Sequence, residues 1–339
     1  MTKLKKVTNI QPCQKNSRSF FEKLQNAEGL DLRDNRGKRH DLAVVLVGVT
    51  IALLANRDGC LSSIQRHLAH HYDRLVTALG VEKRRPVSRS QLPLILEKVG
   101  AEVFDDLIFA HFAVRLDDKT RRWFAVDGKE LRGSIASGAK RGEAVVQAVG
   151  HENGRTMAQN YYCGKKESEV VAVRQLLGDT ELISQKISLD ALHCKPNTLL
   201  MIAGANGKYL VGLKENQKQL LRQAMKTIES QAILWKQSSI EKGHGRIEHR
   251  SYEYYDILEM AKAERWTACQ MRTLIKVRRT REELKSGKKS FETSYYVTNE
   301  TGNYEELAEA IRGHWQVETS NHLRDVTLKE DRLRSKKRI

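Results

Sequence analysis

RRWFAVDGKELRGS (121–134) is the stretch whose reading decides the fold. WFAV (123–126) is apolar and aromatic, which favours a strand, and the Asp127-Gly128 step after it reads as the strand's end. The pattern returns at QKISLDALHCKPN (185–197), where ISL (187–189) runs into Asp190. Between them lie GEAVVQAVGH (142–151) and RTMAQNYYCG (155–164), joined by Glu152-Asn153-Gly154, and Asn-Gly is a strong hairpin signal. SEVVAVRQLLG (168–178) reads as a helix closed by a glycine. KPNTLLMIAGANG (195–207) reads as a second helix and KYLVGLK (208–214) as a fifth strand. Strand, hairpin strand, hairpin strand, helix, strand, helix, strand is the order of a ribonuclease H-like mixed α/β sheet. There the first and fourth strands are neighbours, so Asp127 and Asp190 are expected side by side at one edge.

A third acid lies near the end, in IRGHWQVETSNHLRDVTLKED (311–331). His314, Glu318, His322 and Asp325 recur at intervals of three, four and seven, which places them along one helical face. Any one of these acids alone could be a solvated surface or turn residue. Together, Asp127, Asp190 and Glu318 supply what a two-metal phosphoryl-transfer site needs. Such a site holds two divalent cations roughly 3.5–4 Å apart on hard oxygen ligands. His314, Glu318 and His322, at i, i+4 and i+8, offer zinc ligation as a rival, without the HExxH arrangement.

Charge narrows the partners. Lys+Arg 59 against Asp+Glu 42 gives +17, an excess that implies a polyanion. The competing polyanion is a membrane surface. The longest apolar run, LAVVLVGVTIALLA (42–55), has 14 residues, short of the roughly 20 of a spanning helix, and reads as a buried core helix. The five cysteines (13, 60, 163, 194, 269) are scattered and odd in number, with no CxxC. A reducing compartment without a disulfide framework or structural zinc is therefore expected. The acids and the charge together point to an enzyme that cuts or joins nucleic acid.

Outward from the sheet, residues 1–18 are polar and basic and are expected to be a disordered tail. Residues 19–118 read as an all-helical N-terminal domain, either a DNA-binding one or an ordinary helical bundle with a solvated basic surface. Within it, VEKRRPVSRSQLPLILEKVG (81–100) offers a turn-plus-helix unit, with Ser88 or Ser90 as the cap. Residues 119–339 form the catalytic domain, interrupted at about 215–300 by a β-rich insertion. The insertion holds a basic helix (ENQKQLLRQAMKTIES) and three stretches read as strands: GHGRIEHRSYEYYDI (243–257), TLIKVRRTREELKSGKK (273–289) and SYYVTN (294–299). Basic strands with tyrosines can follow a phosphate backbone, or the tyrosines pack and the arginines are solvated, the reading that single residues favour.

Several of these stretches match one family in order: DLRDNRGKRHDL, AVDGKELRGS, the KKESEV segment (165–170), SLDALHCKPN, GLKENQ (212–217), GHGRIEHR and IRGHWQVE…LRDVTLKEDR. From about residue 20 onward the chain resembles the insertion-sequence DDE transposases of the ISAs type, also called H-repeat-associated proteins. The resemblance implies Asp127, Asp190 and Glu318 as a metal-binding catalytic triad for Mg²⁺ or Mn²⁺. It implies strand cleavage and strand transfer on double-stranded DNA, at transposon ends and target. A homodimer on paired ends and a cytoplasmic, nucleoid-associated location go with it, with no membrane partner. Lys129, Arg132, Lys165, Lys166, Lys214, His244, Arg246, Arg312 and His314 are expected to meet DNA. Two departures stand out. Lys195 takes the place of a glutamine, and His314 and Asp325, which fit this family, stand near Glu318 where other insertion-sequence transposases carry a tyrosine, arginine and lysine. Relatives also continue beyond the position of Ile339 with another helix. A DNA-binding protein with weakened or absent cleavage is therefore the alternative.

Overall fold

The structure, a computed structural model, describes residues 19–55, 60–112, 121–135, 137–163, 166–257 and 264–332. The tail expected at 1–18 and the end of the helical segment at 113–118 lie outside the described residues. The chain divides into two compact units, the second beginning at Val114.

The first unit is helical: α1 (Phe20–Gln25), α2 (Leu42–Leu54), α3 (Leu61–Leu79), α4 (Gln91–Leu96) and α5 (Ala101–Phe112), with one isolated bridge between Asp31 and Val99. Ser19 and Glu22 form a reciprocal capping box at α1. The apolar run foreseen at 42–55 becomes α2, capped by Asp41, whose carboxylate accepts the N–H groups of Ala43 and Val44 at 2.8 and 3.3 Å. It is buried in a core with Leu68 and Val76 of α3. Gly48 permits the close approach, since a Cβ there would lie 2.8 Å from Leu68. Each such fully buried side chain stabilises the unit by roughly 1.5–3 kcal/mol. No helix among the described residues is long and apolar enough to cross a membrane. At α4 the capping group is Ser88: its Oγ accepts from Gln91 N at 3.3 Å, and Ser88 N donates to Gln91 Oε1 at 3.4 Å.

The second unit carries a nine-stranded mixed sheet. Its strands are β1 (Trp123–Glu130), β2 (Glu143–Gly150), β3 (Thr156–Cys163), β4 (Lys186–Leu189), β5 (Lys208–Leu213), β6 (Trp235–Gly243), β7 (Arg246–Asp256), β8 (Thr273–Glu283) and β9 (Lys289–Thr298), in the order β3-β2-β1-β4-β5-β9-β8-β7-β6. β1 pairs antiparallel with β2 and parallel with β4, and β4 pairs parallel with β5. This half is compatible with the ribonuclease H-like core expected from the sequence. The insertion extends the same sheet, with β9 antiparallel to β5.

The helices of this unit are α6 (Lys166–Asp179), α7 (Pro196–Gly204), α8 (Lys218–Ser230), the short α9 (Glu264–Thr267), α10 (Tyr304–Gly313) and α11 (Trp315–Val326). Alternation along β1 sorts its side chains between two layers. Phe124 and Val126 join the large core with Val173 and Leu177 of α6, Leu199 and Ile202 of α7, and Leu220 of α8. Trp123 clusters with Leu307 of α10, and Ala125 with Val149 and Val317 of α11.

Three local readings change. β1 does not stop at Asp127-Gly128; it stays paired with β2 as far as Glu130 opposite Ala144. Gly128 serves packing rather than a turn, because a Cβ there would stand 2.6–2.7 Å from Glu169 and Tyr162. The strand expected at 243–257 is a hairpin turn followed by β7. His244 and Gly245 have φ of 48° and 72°, and Gly243 faces Arg246, the geometry of a two-residue primed turn. The late helix is broken, with His314 as the C-cap of α10.

Candidate active site

Val126 of β1 lies opposite Leu189 of β4. The next residue on each chain is Asp127 and Asp190, so the two acids meet at one level of the sheet. Asp190 begins the Ala191–His193 turn, and its Oδ1 accepts the Leu192 N–H at 2.7 Å. Both acids are half-buried. Burial, and then the charge of Asp190, push the Asp127 carboxyl up to about 7; Glu169 adds to the rise, while the Gly128 N–H and His193 oppose it. Among the described residues no lysine or arginine forms an ion pair with either aspartate.

Glu169 of α6 went unassigned in the sequence, although it lies in KKESEV. Its Oε2 accepts from the Tyr162 hydroxyl at 3.0 Å, and its Oε1 stands 3.3 Å from His193 Nε2. Burial and then Glu169 hold the Tyr162 hydroxyl well above its ordinary range. His193 is fully buried. The signal that could have found both was their place inside two quoted motifs; neither lies on an obvious chemical spacing.

α11 lies on β1 and β2. Gln147, opposite Asp127, donates to Asn321 Oδ1 at 2.6 Å and accepts from Arg324 at 3.1 Å. Glu318 follows the buried Val317 but is itself exposed, and among the described residues no hydrogen bond or ion pair holds it. Among the described residues, no three His, Cys, Asp or Glu side chains are grouped so as to hold a metal. The structure thus brings Asp127 and Asp190 together at one level of the sheet, and α11, which carries Glu318, packs on β1 and β2. His314, Glu318 and His322, the zinc alternative, form no such group either.

The expected DNA contacts separate by environment. Lys129 is buried, and its ammonium meets Asp325 at 2.7 Å, Glu330 at 3.0 Å and Asp331 at 3.5 Å. Burial opposes its charge, but the hydrogen bonds it donates to the Asp325 and Glu330 carboxylates prevail. Its charge therefore serves an internal network rather than an open surface. His314 is half-buried against Ser188, and burial lowers it to about 4, so it is uncharged at neutral pH. Arg132 and Lys214 are exposed, Lys214 just beyond the end of β5. His244, Arg246 and Arg312 share a cleft of about 740 Å³ with Trp315. Arg246 bonds to Glu248 at 2.6 Å, and Arg312 pairs with Glu241. Lys165 and the side chain of Lys166 lie outside the described residues.

A mixed sheet that sets Asp127 within β1 level with Asp190 just past β4, in a basic chain, is compatible with a nucleic-acid-cutting α/β domain. The sequence from residue 118 to 339 matches the family described as Transposase DDE domain, and the chain belongs to that family. "Putative transposase YncI" of Escherichia coli O157:H7 is 29% identical over 218 residues, covering 62% of this chain and 55% of that protein. "Putative protein YbfL" of Escherichia coli K12 is 29% identical over 219 residues, covering 61% and 57%. "Uncharacterized protein in dhlA 3′region" of Xanthobacter autotrophicus is 28% identical over 214 residues, covering 62% and 71%. The chain thus spans about half the length of the first two relatives.

Proposed function

We propose that the chain is a DDE transposase of the ISAs type, cutting and joining duplex DNA at insertion-sequence ends. Asp127, Asp190 and Glu318 are its three acids, and Mg²⁺ or Mn²⁺ is its cofactor. The observation that carries this reading is the Asp127–Asp190 pair: two half-buried carboxylates on neighbouring strands, with no basic side chain of the described residues bonded to either. Like charges held this close are balanced by a cation, and oxygen donors suit Mg²⁺ or Mn²⁺. When bound, the cation would activate water or a 3′-hydroxyl for in-line displacement at phosphorus.

The chain's own residues supply the rest. The Leu192 N–H fixes one oxygen of Asp190, which leaves the other to a ligand. Asp127 gives up its proton as the site fills, so binding is coupled to pH. Glu318 comes from α11, which Val317 and Asn321 hold on the sheet. Among the basic groups, Arg132 and Lys214 are exposed, His244, Arg246 and Arg312 line the cleft beside Trp315, and Lys165 and Lys166 follow from their motif. Two transposon ends would be held by a homodimer in the nucleoid.

A second reading, a transposase-derived DNA-binding protein with weak or absent cleavage, draws on the exposure of Glu318, which no hydrogen bond or ion pair among the described residues holds. The test is nicking of supercoiled plasmid by the full chain in Mg²⁺, Mn²⁺ or Zn²⁺. Nicking that needs Mg²⁺ or Mn²⁺ and stops with chelator supports the transposase. Salt-sensitive binding without nicking in any cation supports the second reading, and the absence of both overturns the two together.

A further inference from the structure

Beside the acid pair lies a buried hydrogen-bonded chain that phosphoryl transfer does not use directly. Ser188 of β4 is 1% exposed and precedes Asp190 by two residues. Its Oγ stands 2.8 Å from His151 Nε2 and 2.9 Å from His314 Nδ1. His151 follows β2, Ser188 belongs to β4, and His314 joins α10 to α11. Three separate elements therefore meet on one hydroxyl.

The surroundings hold this meeting in place. The His151 ring stacks on Trp123, with centroids 6.0 Å apart and planes 19° from parallel. Trp123 Nε1 donates to Glu306 of α10 at 2.8 Å, and Lys186 of β4 donates to the same carboxylate. Gly313 closes on the other side: a Cβ there would lie 2.3 Å from His151 Nδ1 and 2.7 Å from Cγ. Any larger residue at 313 must displace the ring or the helix junction.

Proton counting makes the chain directional. Burial lowers His151 to about 3 and His314 to about 4, so both rings are neutral near pH 7. A neutral imidazole has one N–H and one bare nitrogen, and a serine hydroxyl has one proton. The hydroxyl must donate to one ring and accept an N–H from the other. The Phe124 carbonyl, 3.5 Å from Ser188 Oγ, is too distant to compete for the proton. If His151 carries its proton on Nε2, His314 is bare at Nδ1, and the reverse holds equally. The tautomer of one ring thus sets that of the other.

We propose that His151, Ser188 and His314 form a positioning relay that pins the α10–α11 junction to β4 and so sets where Glu318 stands relative to Asp190. The proposal rests on Glu318 being the third acid. None of the three relay residues is a catalytic residue; they act through Asp190 and Glu318. Removing hydrogen-bond partners behind metal ligands typically costs 10–100-fold in metal affinity.

The test uses the full chain and Mn²⁺ alone as probe. Binding is followed by loss of the free-ion electron paramagnetic resonance signal, and the ring nitrogens by ¹⁵N NMR. His151→Ala and His314→Ala should each weaken Mn²⁺ binding about tenfold or more. His151→Gln and His314→Asn, whose amides stand where Nε2 and Nδ1 stood, should recover most of it. His151→Ala should also move the His314 ring-nitrogen resonances. Folded alanine variants that bind Mn²⁺ within twofold of the parent, or amide variants no better than alanine, overturn the relay. Glu318→Gln separates the two readings. If it leaves Mn²⁺ binding unchanged while the alanine variants weaken it, Glu318 is not the third acid, and the relay, which was to set Glu318 against Asp190, fails with that reading. A parent chain that binds no Mn²⁺ overturns both.

Discussion

Glu248 on β7 and Asp127 on β1 are carboxylates of one sheet, and their charges meet opposite surroundings. Glu248 accepts from Arg246 at 2.6 Å and Arg281 at 3.1 Å, and Arg250 bonds its other oxygen. Burial raises it, but these guanidinium groups outweigh burial and hold it below the ordinary carboxylate range. Glu253, five strand positions further on, is likewise lowered against burial, by the Tyr255 hydroxyl, Arg278, Lys276 and Lys236. Burial first, and then Asp190 standing where an arginine stands beside Glu248, push Asp127 up to about 7. The β6–β9 extension therefore closes its charge on itself, while the β1–β4 edge leaves its charge open. A carboxyl held ready for a cation is expected to look like the second and not the first.

The sharpest way to break this comparison is to remove the open charge. Asp127→Asn should lower Mg²⁺- or Mn²⁺-dependent nicking by roughly 10³ or more, since one anionic ligand is gone and the shape of the core is kept. Binding to duplex DNA should persist. Mn²⁺ should raise the melting temperature of the parent and leave the variant unmoved. Equal nicking by both proteins would remove Asp127 from the site.

The closed charge should behave differently. Glu248→Gln leaves three arginines around a neutral amide. Losing one partner of a buried ion pair costs about 3–5 kcal/mol, and these arginines are partly exposed, so about 2 kcal/mol of unfolding stability is expected. Denaturant titration reads this directly. Stability unchanged within about 0.5 kcal/mol would mean that the network is decorative. Cleavage by the folded variant should remain.

The difference between these two regions also explains what the sequence disclosed. Strand order was legible because each core strand is a short apolar run and Asn153-Gly154 marks a hairpin, all local signals. The pairing of Asp127 with Asp190 followed from that order. β6 was not legible: it is an edge strand, largely exposed, and Trp235–Gly243 lacks a continuous apolar face. Lys129 read as a DNA contact because its carboxylates, Glu330 and Asp331, lie 201 and 202 residues away in sequence. Glu169, His193 and His151 take their meaning from neighbours on other elements. Gly128 misled for a related reason. A glycine after an aspartate suggests a turn, and only the packed structure shows Tyr162 and Glu169 filling the space of a side chain.

A pH series sharpens the contrast at a smaller scale. The Asp127 carboxyl is raised in the folded chain, so folding is favoured when it is protonated. That contribution is full below about pH 4, is lost progressively as pH rises, and is gone above about pH 7. Asp127→Asn removes the loss. The stability of the variant relative to the parent should therefore grow between about pH 5 and pH 7.5, by about 1–2 kcal/mol after allowing for solvent at this half-buried site. A constant difference across that range would show that Asp190 and burial do not hold the proton on Asp127.

Salt reads the smallest effect. With +17 overall, affinity for duplex DNA should fall steeply with salt, by roughly 10³–10⁵ between about 50 and 200 mM if six to ten phosphates are neutralised. Single residues contribute about one unit each to the slope of log affinity against log salt. Lys214 is exposed at the β5 end, on the side of the sheet where Asp190 ends β4, and among the described residues no carboxylate pairs with it. Arg246 is bonded to Glu248. Lys214→Gln should lower the slope by about one, so that a fourfold rise in salt costs the variant roughly threefold to fourfold less affinity than it costs the parent. Arg246→Gln should change it much less, because a cation already matched by a carboxylate releases few counterions from DNA. Both variants should melt with the parent's cooperativity, which isolates the electrostatic term from folding. If Arg246→Gln lowers the slope as far as Lys214→Gln, the extension is not closed on itself, and its arginines leave Glu248 for phosphate when DNA binds.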